Sequence, residues 1–116
     1  MTLLTRLATA VTVSTIAFPA LAATQDELRA ALVGNTFQGD MGGGGYSSYF
    51  AEDGTYYDAS GSGVYEITDE GVCYPDTDFG CYQANIDGTS LEWIQDGESA
   101  GSGEILDGDI LDLMAQ

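Results

Sequence analysis

Beyond residue 34 the hydrophobic and polar positions alternate in short runs broken by glycine, and no segment there keeps a helical period. The pattern predicts strands at 35–38, 46–50, 55–58, 63–68, 71–74, 81–86, 90–94 and 99–106. Turn chemistry sets their ends: Asp53-Gly54, Glu70-Gly71, Asp87-Gly88, Asp96-Gly97 and Asp107-Gly108 each place a polar residue before a glycine free to adopt positive φ. Alternation selects the inward faces as Tyr65 with Ile67, Val72 with Tyr74, Tyr82 with Ala84 and Ile86, and Leu91 with Trp93. The fold class that follows is mainly β: an antiparallel meander of about seven or eight strands. A closed or nearly closed small barrel is expected, because closure removes exposed strand edges. The run Gly42–Gly45 reads as a loop tip, since no Lys follows it and no helix opens there to cradle a phosphate.

The chain before residue 35 follows a different pattern. Thr24-Gln25-Asp26-Glu27 has the spacing of a capping box, so a helix of about two turns should follow, with Leu28, Leu32 and Ala31 on its apolar stripe and Gly34 ending it. Upstream, Arg6 precedes an apolar and small-residue run from Leu7 to Ala17, and Phe18-Pro19-Ala20-Leu21-Ala22 closes it with a breaker and small residues. This is the charge distribution and ending of a secretory leader, too short and weakly apolar for a good membrane span. Residues 1–22 are therefore expected to be a signal peptide cut after Ala22, and residues 23–116 a single small β domain. No cysteine lies near the cut to carry a lipid, so the expected mature form is a soluble monomer, periplasmic or secreted, with no membrane insertion after the signal is removed.

Export decides how the two cysteines are read. Cys73 and Cys81 are the whole complement, and in an oxidising compartment they should form a disulfide at the base of one hairpin loop. Closing that loop should stabilise the fold by roughly 2 to 3 kcal/mol.

Charge and missing residue types narrow the chemistry further. Once Arg6 leaves with the signal, Arg29 alone faces nineteen carboxylates, and the chain has no His. It has no Lys either, both of its basic residues being arginine. Nucleic acid and anionic lipid surfaces are repelled by such a field; tolerance of a salty medium, capture of a cation, or a basic protein partner fit it. Without His or Lys there is no Ser-His-Asp, Cys-His, Ser-Lys or Schiff-base chemistry, and no catalytic residue is assigned. An enzyme is not expected; a hydrolase built on carboxylates alone is the one catalytic class the composition leaves. No cofactor is expected, calcium apart: Asp76 with Asp78, and Asp107 with Asp109 and Asp112, are oxygen-rich stretches beside turns, resembling fragments of calcium loops. The competing reading is turn-forming, solvated Asp. Tyr65, Tyr82 and Trp93 are the preferred inward aromatics, either lining a ligand cavity or filling the core. The apolar tail from Asp109, with Ile110, Leu111, Leu113 and Met114, should dock back on the barrel as a last strand or turn.

Several of these stretches taken together carry a resemblance. Leu32-Val33-Gly34-Asn35-Thr36, Tyr49-Phe50-Ala51-Glu52-Asp53-Gly54-Thr55, Gly63-Val64-Tyr65-Glu66-Ile67, Gly71-Val72-Cys73 and Cys81-Tyr82-Gln83-Ala84 resemble a group of small secreted proteins of Gram-negative bacteria. Members combine a short helix with a β-meander, a G-N-T start, a Y-F-x-x-D-G-T hairpin and two cysteines flanking a loop. The resemblance spans nearly all of the mature chain and implies architecture, including a lipocalin-like or calycin-like barrel, while supplying no catalytic residues. Tyr65 stands where the group commonly has Trp, and basic residues are unusually few. The function expected on these grounds is an exported, soluble binding module for a small ligand. The alternative is a periplasmic protein-interaction factor, an inhibitor or envelope accessory protein, docking a basic partner on its acidic surface.

Overall fold

The computed structural model describes residues 22–115, so the expected signal peptide, Ala22 excepted, and Gln116 lie outside the described residues. Thr24 opens the fold with the reciprocal box that its sequence predicts: its hydroxyl oxygen accepts from the Glu27 amide at 3.1 Å, and Glu27 Oε1 accepts from the Thr24 amide at 2.8 Å. Helix α1 (Gln25–Leu32) follows and buries Leu28 and Leu32. Gly34, at φ +81°, turns the chain out of the helix. The next two residues then lock the junction. Asn35 Nδ2 donates to the Ala31 carbonyl at 2.8 Å, Asn35 Oδ1 accepts from the Gly108 amide at 3.1 Å, and the Thr36 hydroxyl donates to the Gly108 carbonyl at 2.6 Å. The Gly-Asn-Thr triplet thereby joins the helix end, the first strand and the end of the last.

Nine strands follow: β1 (Asn35–Asp40), β2 (Gly45–Phe50), β3 (Thr55–Asp58), β4 (Gly61–Val64), β5 (Glu66–Thr68), β6 (Gly71–Tyr74), β7 (Gly80–Asp87), β8 (Ser90–Gln95) and β9 (Glu98–Asp107). They form one antiparallel sheet in the order β4-β3-β2-β1-β9-β8-β7-β6-β5. The two outermost strands are separated in the chain by Tyr65 alone, so the sheet is rolled into a nearly closed barrel with its seam at that residue.

The seam accounts for the difference from the predicted strand at 63–68. That run pairs with β3 in its first half and with β6 in its second. At the change of partner the Tyr65 amide donates to the Gly54 carbonyl at 2.9 Å instead of entering either ladder. Helix α1 blunts the exposed edge of β5, because Gln25 Nε2 and an Arg29 guanidinium nitrogen donate to the Ile67 carbonyl at 3.2 and 3.1 Å.

The opposite side of the barrel closes through β1 and β9, where Gly39 and Gly103 are register partners. Only glycine fits that approach: a Cβ on Gly39 would sit 2.6 Å from the Gly103 Cα and run into the Ser102 carbonyl oxygen. The β8–β9 hairpin turns on two residues with positive φ, Asp96 at +54° and Gly97 at +80°, as a type I′ turn requires.

Leu28 and Leu32 join Phe37, Phe50, Tyr65, Ile67, Val72, Ala84, Leu91 and Trp93 in one core, so the helix plugs one end of the barrel. Cys73 and Cys81 are bonded register partners on β6 and β7, with Cα atoms 4.0 Å apart, at the base of the loop where the sequence places them. The tail docks as a turn. Asp109 accepts from the Leu113 and Met114 amides at 2.8 and 2.9 Å, capping a short 3-10 helix (Leu113–Ala115) that buries Leu113 against β2 and β3.

Candidate functional site

The inward side chains do not fill the barrel. Phe37 on β1, Phe50 on β2, Tyr56 on β3, Tyr74 on β6, Tyr82 on β7 and Trp93 on β8 surround a cavity of about 390 Å³ that opens between the strand ends. Their rings meet edge to face in a continuous series: Tyr56 and Tyr74 at 5.2 Å, Tyr74 and Tyr82 at 6.0 Å, Tyr82 and Trp93 at 6.2 Å, Trp93 and Phe37 at 5.5 Å. The first of these contacts spans from β3 to β6, across the seam beside β4. Gly63 makes room for it, since a Cβ there would lie 2.7 Å from the Tyr56 ring.

One stretch of wall is polar. Ser48 on β2 and Asp58 on β3 are register partners, and Tyr46 lies two residues before Ser48 on the same face. Asp58 Oδ2 accepts from the Tyr46 hydroxyl at 2.9 Å, while Oδ1 accepts from the Ser60 amide at 2.9 Å and the Ser60 hydroxyl at 2.7 Å. Ser48 is only 2 % exposed, and its hydroxyl has no hydrogen-bond partner. Asp58 is the sole carboxylate on this wall, and no basic side chain lines it. Arg29, the one basic residue among the described residues, lies at the plugged end beside a separate depression with Glu52, Tyr65 and Glu66.

Burial governs the phenols of the site. Tyr46 is held well above the ordinary phenol range by burial and by its hydrogen bond to Asp58. The nearby Ser48 hydroxyl acts in the opposite direction. Tyr74 is raised by burial and by the phenols of Tyr46 and Tyr82 around it. These side chains remain protonated donors at any physiological pH.

Of the aromatics singled out from sequence, Tyr82 and Trp93 stand on the cavity wall. Tyr65 does not. It is buried at the seam, its hydroxyl donating to the Ala51 carbonyl at 2.6 Å and its ring edge-on to Phe50 at 5.1 Å. Burial pushes its pKa up to about 12, against the opposing charge of Arg29. Tyr46, Ser48 and Asp58 were not among the residues that sequence reasoning selected, although the alternation Tyr46, Ser48, Phe50 was there to be read.

The raised phenols predict an alkaline limit to stability. An unfolded tyrosine ionises near pH 10, whereas Tyr46, Tyr65 and Tyr74 keep their protons in the fold. Above that pH the unfolded chain binds fewer protons than the folded one, so stability, fully present below about pH 10, should fall as pH rises toward 12 and beyond. Denaturant midpoints measured between about pH 9 and pH 11 should decrease, with tyrosinate absorbance rising in step with unfolding. A flat midpoint would mean that these phenols reach solvent.

Three of the five acidic residues considered for calcium, Asp76, Asp109 and Asp112, sit in local turn structure. Both Asp109 oxygens are engaged by amides of the tail, and Asp76 and Asp112 adopt positive φ in turns at +63° and +57°. Among the described residues the acidic and thiol groups that converge within metal-binding reach are Glu70, Cys73 and Cys81. The disulfide leaves that group without the thiolates a soft metal would need.

No protein-family model matches the chain, and no curated protein or solved structure matches it.

Proposed function

We propose that the mature protein is an exported, soluble binding module that holds a small organic ligand inside its barrel and performs no chemistry on it. The observation that carries this reading is the aromatic-walled cavity of about 390 Å³ with its one compact polar patch. That volume lies within the range of small-molecule sites, and a mostly apolar wall with a few convergent polar groups supplies both affinity and orientation. In this reading the meander serves as a lipocalin-like or calycin-like cup, plugged by α1 and open at the other end.

The residues argue against catalysis. There is no His or Lys, both thiols are in the disulfide, and acid–base hydrolysis by carboxylates calls for two where the cavity wall has Asp58 alone. Export rests on the leader read from residues 1–22, and the disulfide accords with an oxidising compartment.

Native mass spectrometry of protein purified gently from the periplasm tests the reading. A reproducible extra mass that leaves on mild activation is expected; a bare chain would count against a resident ligand. The exposed tail side chains Ile110, at 61 %, and Met114, at 50 %, on a strongly acidic molecule favour the second reading. In it the same protein is an interaction factor whose apolar tail and acidic surface meet a basic partner, and a bare chain would shift weight to it.

A further inference from the structure

Resting on the small-ligand reading, we infer that the cavity is built for an organic ammonium ion: a primary or secondary amine, protonated, on an apolar or aromatic body. The polar patch decides the sign. Asp58 and Ser48 sit side by side as register partners on the inner wall, and every polar group that already contacts Asp58 is a neutral donor, from Tyr46 and Ser60. A carboxylate on a largely apolar wall gains most from a cation, and no cation of the protein's own lines this cavity. The donors from Tyr46 and Ser60 hold the carboxylate in place, so it meets a ligand already oriented.

Ser48 supplies the second observation. A hydroxyl that is 98 % removed from solvent and has no partner is costly to bury. Its lone pairs offer an acceptor beside Asp58, and an ammonium with two or three N–H groups satisfies both oxygens at once. Tyr74, Tyr82 and Trp93 line the same cavity as the patch, and their π-systems attract a cation while their bodies bury the apolar remainder of the ligand. The acidic field of the whole molecule acts in the same direction, concentrating cations and repelling anions. An anionic or a neutral polar ligand would leave Asp58 facing either repulsion or a weaker donor.

Three isosteric probes separate this inference from the reading beneath it: phenethylamine, phenethyl alcohol and phenylacetate, titrated calorimetrically into the purified protein after removal of any resident mass. The amine should bind at least about tenfold more tightly than the alcohol, since it adds the attraction of a full cation for the carboxylate to the single hydrogen bond the alcohol can donate, and the acid should not bind. Asp58→Asn should abolish the preference, so that amine and alcohol bind alike. Ser48→Ala should weaken the amine severalfold while leaving the thermal midpoint level or higher, because the orphaned hydroxyl is gone. Equal binding of amine and alcohol by the wild-type protein would overturn the ammonium assignment and leave the small-ligand reading standing. Binding of none of the three, together with a bare chain in native mass spectrometry, would overturn both. The wild-type comparison decides the sign even if the Asp58 variant fails to fold.

Discussion

Replacing Phe50 with alanine should destabilise the protein by about 3–5 kcal/mol, the usual cost of removing a fully buried aromatic side chain. The residue stands where three parts of the fold meet. Its ring is edge-on to Tyr65 at the seam, 5.1 Å away, and 6.5 Å from Trp93 in the barrel wall, and almost none of it reaches solvent. Its carbonyl accepts from the Gly34 amide at 2.7 Å, and Val33 forms a parallel bridge to it, so the helix plug is anchored on the same residue. A domain of this size has a total stability of about 5–15 kcal/mol, so the loss takes a large fraction of it. Urea unfolding followed by Trp93 fluorescence should show a lower midpoint with an unchanged slope. Phe50→Leu should recover most of the loss. A cost below about 1 kcal/mol for the alanine variant would mean that the barrel interior is not packed as a core.

The parts of the fold that were legible in sequence are those decided locally. The Thr24 and Glu27 capping box depends on two side chains three residues apart, and the Asp96-Gly97 turn on two backbone angles. Strand positions followed from alternation, and the cysteine pairing followed from there being two cysteines in a chain expected to be exported. Closure is a different kind of information. The break at Tyr65 exists because the sheet curls until one run of chain must pair with β3 in its first half and β6 in its second. Nothing within residues 63–68 encodes the distance to β6, so the run reads as one strand.

The same limit explains the site. Gly39, Gly63 and Gly103 face strands or rings too close for a side chain, but glycine carries no polarity with which to show its face. Tyr46, Ser48 and Phe50 do alternate inward on β2, yet a serine between two aromatics reads as an outward position unless the register with β3 is known. That register brings Ser48 against Asp58 and turns two unremarkable polar residues into a patch. Tyr82 and Trp93 were visible because large aromatics on alternating strands face inward whether the barrel is full or hollow. The hollowness itself is a property of the closed sheet, set by how far apart the six ring-bearing strands are held.

Loss of the disulfide should affect both stability and the mouth of the cavity, and the two effects can be separated. The double variant Cys73→Ser/Cys81→Ser should lower stability by about 2–3 kcal/mol, because the bond closes a short loop whose entropy returns to the unfolded chain when it is cut. The β6–β7 ladder itself survives, since Val72 with Tyr82 and Tyr74 with Gly80 remain register partners on either side of the cysteines. The loop above the bond forms one lip of the cavity. It carries Phe79, whose ring meets Tyr74 at 6.0 Å and whose carbonyl accepts from Gln95 Nε2 at 2.7 Å. That lip is therefore held from two sides, by the disulfide at its base and by β8 through Gln95. In the double variant a bound amine should dissociate severalfold faster, since affinity differences at one site appear mainly in the off-rate. Gln95→Ala, which releases only the second tether, should speed dissociation with a stability cost of about 1 kcal/mol or less. If the cysteine variant loses stability but keeps the wild-type off-rate, Gln95 and the aromatic contacts hold the lip alone and the bond serves folding only. If both variants release the amine faster, the disulfide is part of the binding site, and a reducing medium would empty the barrel before it unfolds it.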